Sequence, residues 1–310
     1  MTRAQATRLE EAQGRMWGAI ARSFVGLIGK GSSRATISYP PIDIRFVAEE
    51  KRLAPEDWSK ALAVRDPETV ERVRAAACGG DPRAQTACGH LLLSGHGVAR
   101  DSFAAFRWFE MAARREHAEA ANMLGRCHEL GWGTGVDPGR AAHWYREAAR
   151  RGDAWAQFNL AMLLFDGHGC EADRGEALAW FVRAARRRHA KAMGMVGRYR
   201  EEGWRHRPRP LAAFRWYRRA AEGGDFRGQF NYGRCLFQAG FRDEALRWIS
   251  AAIEAGIPIF CMNVAATLLR HEDSDLRALG ACALAKARGG APPDRHKTGF
   301  PRQTSLPDAP

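Results

Sequence analysis

Histidine, cysteine and a glycine-rich segment are the parts of this chain whose chemistry could extend beyond packing. Ten His and seven Cys are present, and imidazole and thiolate are the usual zinc ligands when they recur at short spacings. The cysteines (78, 88, 127, 170, 235, 261 and 282) are odd in number and form no CxxC pair. That pattern argues against both a zinc site and a disulfide framework. His96 and His168 sit in similar Gly-His-Gly turns 72 residues apart, about 20 Å if two stacked units separate them, too far to share one ion. Cys170 lies beside His168, yet no acidic orienter and no oxyanion hole are implied. Gly131-Trp132-Gly133-Thr134-Gly135 looks superficially like a nucleotide loop, but no strand precedes it and no Lys-Ser/Thr follows. No metal, cofactor or catalytic constellation is expected, and the chain reads as a non-enzyme.

The glycine segment belongs to a repeat. Trp108, Trp144, Trp180 and Trp216 are each 36 residues apart. Each is followed by an aromatic (Phe109, Tyr145, Phe181, Tyr217) and, four positions on, by an Ala pair that begins at Ala112, Ala148, Ala184 and Ala220. A fifth unit keeps Trp248 and Ala252 after a shortened turn. Earlier in each unit come Ala84, Ala120, Ala156, Ala192 and Gly228, then five residues later Gly89, Gly125, Ala161, Gly197 and Gly233. A Gly-rich turn follows. A period of this length marks helix–turn–helix units that must stack to bury their apolar faces. Gly152-Asp153 and Gly224-Asp225 read as a Gly C-cap followed by an Asp N-cap, and Gly80-Asp81-Pro82 adds Pro at the first helical position. The small residues let paired helices approach, and the Trp ring is expected between successive units. The fold class is therefore all-α, a solenoid of units of about 36 residues.

Ala-x4-Gly, then Gly95-His96-Gly97-Val98 with Asp101, then Trp108-Phe109 and Ala112-Ala113, resembles the Sel-one-like repeat family, a relative of the tetratricopeptide repeats. The resemblance covers about residues 80–255. It implies a right-handed superhelix that acts as an adaptor or scaffold for protein partners, without catalytic residues or cofactors. The sequence departs from the family pattern where an aromatic is usual three residues after the small Gly: Leu92, His128, Leu164, Arg200 and Leu236 stand there. Residues 66–79 and 256–287 read as degenerate end units, as a solenoid with polar caps requires. A second regularity overlies the first. Units one, three and five begin Gly-Asp, whereas units two and four begin Glu116-His117 and Arg188-His189 and carry Trp132 and Trp204 in their turns. A duplicated 72-residue pair of units accounts for this.

Outside the stack, residues 1–30 show helical apolar spacing with Arg8, Arg15 and Arg22 on another face. They read as an amphipathic helix that either packs on the stack or attaches peripherally to a membrane. Residues 31–65 read as irregular or partly helical and 288–310 as a disordered tail. No apolar run is long enough to span a bilayer, no cleaved signal peptide is evident, and free cysteines fit a reducing, cytoplasmic setting. The net charge is +13 and the pI about 10.0, which raises nucleic acid or anionic lipid as partners. However, 42 of the 48 basic residues are Arg, and compositional bias accounts for such a skew.

Tetratricopeptide geometry places a subset of first-helix residues on a concave groove. The third unit then offers Trp155, Phe158, Met162 and Phe165 as an exposed stripe, flanked by Asn122, Arg126, Arg198, Phe230 and Arg234, unless residues 1–50 cover it or helix rotation buries it. Aromatic side chains beside Arg resemble a peptide hot spot. A basic rim at the ends of the second helices comprises Arg114, Arg115, Arg150, Arg151, Arg186, Arg187, Arg218 and Arg219. Cations there complement the helix dipole and would also suit RNA or anionic lipid. A protein or peptide in the groove is the leading expectation, with the rim-bound polyanion as the alternative.

Overall fold

The computed structural model describes residues 67–204 and 207–289. The expectations for residues 1–30, for 31–65 and for the tail beyond 289 lie outside the described residues. Thirteen α-helices and no strand occur among the described residues. The chain is an all-α helical repeat solenoid. It divides into two compact units, split between His189 and Ala190. The first holds α1 (Pro67–Cys78), α2 (Pro82–Ser94), α3 (Ser102–Arg114), α4 (Ala118–Leu130), α5 (Pro138–Arg150), α6 (Ala154–Asp166) and α7 (Arg174–Arg186). The second holds α8 (Ala190–Glu202), α9 (Pro210–Glu222), α10 (Phe226–Gln238), α11 (Arg242–Ala255), α12 (Pro258–Leu268) and α13 (Ser274–Ala287).

Local signals set the ends of each helix. Asp81, Asp153 and Asp225 cap α2, α6 and α10 by accepting backbone N–H groups of the first turn. Asp101, Asp137 and Asp173 do the same for the second helices α3, α5 and α7, a role the repeat pattern alone had not singled out. Each such cap satisfies a donor that the helix itself leaves without a partner. Gly95, Gly131 and Gly167 end the first helices in the left-handed region.

In three of the helix pairs the seam is a ring laid on a glycine. A Cβ on Gly89 would lie 2.4 Å from the Phe109 ring, and one on Gly125 2.5 Å from Tyr145. The same holds for Gly197 against Tyr217 at 2.7 Å, while in the fifth pair an aliphatic side chain, Ile249, lies 2.8 Å from a Cβ on Gly233. Phe109, Tyr145, Tyr217 and their flanking alanines are wholly buried. The residue after each Trp therefore closes the pair. Trp108 packs on the buried cluster that joins α1 to α2 and Trp248 on the cluster of Phe214 and Tyr217 in the preceding unit, both half-buried, whereas Trp180 is buried and donates to Glu176 at 3.0 Å. The second Gly of each turn makes contact with an earlier unit. A Cβ on Gly133 would strike the Ser102 carbonyl oxygen at 2.1 Å, and one on Gly169 would strike the Pro138 carbonyl carbon at 2.2 Å. In α12 and α13 the sixth pair keeps this logic with different residues, since Gly280 lies against the backbone and side chains of Leu268 and Leu269.

Two outcomes check this packing. Gly125→Ala should lower stability by about 1–3 kcal/mol through overpacking against Tyr145. Gly135→Ala, where nothing lies within 4 Å, should leave the denaturant midpoint unchanged; equal losses would contradict the seam. Burial pushes the Asp153 carboxyl up from 3.8 to about 6, against the opposing N–H bond from Ala156. Between those values the folded chain retains a proton that the unfolded chain has released, so this group's contribution falls as pH rises. Asp153→Asn should therefore gain on the wild type in thermal melts as pH rises through that window. A gain on acidification would refute it.

Candidate binding face

Along the first helices of the unit 42–189, the stripe expected to be exposed is largely interior. Phe158 and Met162 are buried, at 4% and 3% exposure. His189 covers Phe158: its ring stacks on Phe158 at 4.8 Å and meets Trp155 edge-on at 4.4 Å. His189 follows Arg188, a non-Gly residue in the left-handed region at φ 64°. His117 and Glu116 (φ 62°) repeat the device two units earlier. There His117 Nδ1 lies 2.9 Å from Thr86 Oγ1, and burial lowers the His117 pKa. Asn122 is also interior, accepting from Asn159 Nδ2 at 3.1 Å. In the other unit Phe230 is buried and lies edge-on to Phe260. Only Trp155 and Phe165 of the aromatic stripe keep exposed edges. Phe165 lies under the Arg174 guanidinium, 5.0 Å from the ring centre.

A polar cluster on a first helix is built once in each of the two compact units, 72 residues apart. Arg126 sits 4.9 Å above Trp132, and Arg198 sits 5.0 Å above Trp204. The Glu one turn along accepts the hydroxyl of the buried seam tyrosine: Tyr145 donates to Glu129, and Tyr217 donates to Glu201 at 2.7 Å. The two copies then diverge. Arg234 Nη2 reaches both Glu201 oxygens at 2.6 and 2.8 Å. The residue equivalent to Arg234 in the first copy is Met162. Burial raises the Glu129 carboxyl above its ordinary range, opposed by the Tyr145 hydrogen bond and by the charges of Arg126 and His168. The first-helix register turns both glutamates toward the groove; their bond to the seam tyrosine was not expected from the sequence. Their signal was there in the 36-residue register, which pairs 129 with 145 and 201 with 217.

Four segments, residues 82–117, 118–153, 156–189 and 190–225, match the model of the Sel1 repeat. The chain carries Sel1 repeats. Among solved structures it is similar to c5321, a protective antigen of uropathogenic Escherichia coli with an SLR fold, at 28% identity and a TM-score of 0.58. That likeness covers 72% of this chain but 49% of c5321, so the chain spans about half that protein's length. It is also similar in fold to a Sel1 repeat protein of Oxalobacter formigenes, with 23% identity, a TM-score of 0.60, and coverage of 72% of this chain and 99% of that one. No curated protein matches the chain. Sel1 repeats generally mediate protein–protein interaction, and their fold is typically a non-enzymatic adaptor.

At the far ends of the second helices, the basic rim of these Sel1 units is largely engaged within the chain. Arg114 pairs with Glu110 at 2.9 Å, Arg150 and Arg151 share Glu147, and Arg218 pairs with Glu222 at 2.7 Å. Arg115 donates to the Gly80 carbonyl at 2.6 Å. Arg187 lies against Gly152, the equivalent place two units on, and Arg219 covers Trp216. Arg186 is exposed. No helix among the described residues is long and apolar enough to cross a membrane, and no group of three or more His, Cys, Asp or Glu there could hold a metal ion.

The duplicated cluster yields opposite outcomes for one substitution. Glu201→Gln leaves the half-buried Arg234 without its carboxylate and should cost about 1–3 kcal/mol. Glu129→Gln removes a charge held in a desolvated place and should leave stability at pH 7 unchanged or raised. Parallel urea melts of the two variants decide this, and equal losses would rule the asymmetry out.

Proposed function

We propose that this chain is a non-enzymatic adaptor that binds a peptide or protein segment along the first-helix face of its Sel1 repeats. One observation carries the reading. Trp155 and Phe165 present aromatic edges on α6, held in place by His189 and Arg174 respectively. Rigid aromatic edges beside charged groups form anchors with little conformational entropy to lose. The Sel1 repeat match supports the same class of partner. Buried Phe158 and Met162 support this edge from beneath and are not themselves the contact. The rim gives less support to a polyanion, since Arg114, Arg150, Arg151 and Arg218 already face glutamates.

An array of decapeptides probed with the purified chain tests the reading. Trp155→Ala and Phe165→Ala should each weaken retention about tenfold or more, as truncated hot spots do, with melting behaviour near that of the wild type. Phe158→Ala should instead cost about 3–5 kcal/mol of stability, as loss of a buried aromatic does. Retention should change little with salt. Capture of RNA with a log–log salt slope near −0.7 per contacted phosphate, indifferent to both aromatic changes, would overturn the proposal.

A further inference from the structure

The two copies of the Arg–Trp–Glu–Tyr cluster differ in what meets the carboxylate. In the second, Glu201 receives Tyr217 and, from the next first helix, the Arg234 guanidinium. In the first, Glu129 receives Tyr145 on Oε2, and the next first helix offers Met162. Among the described residues, Tyr145 is the hydrogen-bond donor to Glu129. Arg126, one turn away on the same helix, lies over Trp132.

We propose that Glu129 accepts an arginine side chain of the bound peptide, so that the partner supplies the guanidinium that Arg234 supplies internally to Glu201. This rests on the adaptor reading above and specifies the chemistry of its partner. The second copy shows what the arrangement accommodates: a guanidinium nitrogen between both carboxylate oxygens, at hydrogen-bond distance, beside a tyrosine hydroxyl. A carboxylate half removed from water gains most from a charged donor, because charge-assisted hydrogen bonds are the strong ones. Met162, which stands where the second copy has Arg234, brings no competing charge to the carboxylate. Long-range attraction does not bring such a partner in, because the chain carries a net charge of +13. Recognition is therefore short-range, and it selects where an arginine falls along a peptide already seated on Trp155 and Phe165. Lysine is the poorer fit. Its compact ammonium lacks the planar fork that can address a carboxylate while stacking on a neighbouring ring.

The test uses the tightest decapeptide from the array, alongside the same peptide with each arginine replaced in turn by citrulline or lysine. Fluorescence polarisation against the full chain should show one arginine whose citrulline replacement weakens binding about tenfold, the size of a charge-assisted hydrogen bond. Glu129→Gln should weaken the arginine peptide by a similar factor, and in that variant citrulline should cause no further loss, the signature of direct coupling. Met162→Arg should abolish the preference as well, with its guanidinium seated on Glu129. If the citrulline effect persists undiminished in Glu129→Gln, the arginine is read elsewhere and this inference fails while the adaptor reading stands. Tight peptides with no arginine requirement have the same consequence. Retention of no peptide at all sinks both.

Discussion

Three pairs of helices in this chain are closed by a ring resting on a glycine of the facing helix, and much of the architecture depends on that contact. Gly125 and Tyr145 show why. The ring lies where a side chain would otherwise be, so α4 and α5 approach closely and the phenol emerges on the opposite side of the seam, within reach of Glu129. The contact thus sets the spacing of the pair and orients a polar group toward the first-helix face. Tyr217 over Gly197 does the same for Glu201. Where Phe takes the tyrosine's place, as at 109 and 181, the seam closes without a hydroxyl. The alternation of Phe and Tyr along the stack therefore decides which units carry a buried acceptor for a phenol and which do not.

The 72-residue alternation has a physical consequence at the connectors. Units that begin Gly-Asp place a glycine in the left-handed region and cap the next helix with the carboxylate: Gly152 at φ 93° with Asp153 is the pattern. Units that begin Glu116-His117 or Arg188-His189 force a residue with a side chain into that region, where it is strained. They also give up the side-chain cap at His117. What they gain is an imidazole directed onto the preceding first helix, against Thr86 in one case and against Phe158 and Trp155 in the other. A surface that the sequence presents as an apolar stripe is thereby converted into a packed layer with aromatic edges at its ends.

The repeat, its period, the helix–turn–helix unit and several caps could be read directly from residue types, because glycine, aspartate and alanine pairs recur at fixed offsets and each has one local meaning. The face was harder to read. Counting along α6 placed Phe158 and Met162 outward, but Phe158 is covered by a histidine some thirty residues later, which no helical periodicity reports. Register along the first helices puts Glu129 and Glu201 on the groove side, but their role as acceptors is set by a partner 16 residues away across the seam. The Arg rim was easy to see as a charge pattern. Its engagement with Glu110, Glu147 and Glu222 follows from i, i+3 and i, i+4 neighbours on one helix, and could have been read from spacing alone.

The proposed adaptor role places an extended partner on the first-helix face, with its aromatic edges and desolvated carboxylate. The central claim is that this face, rather than the basic rim, makes the contact. Hydrogen exchange of the chain with and without a saturating decapeptide measures this most directly. Protection should appear in α4 and α6 and in the turn that carries Trp132, with the ends of α3, α5 and α7 unchanged. Protection confined to those second-helix ends would contradict it.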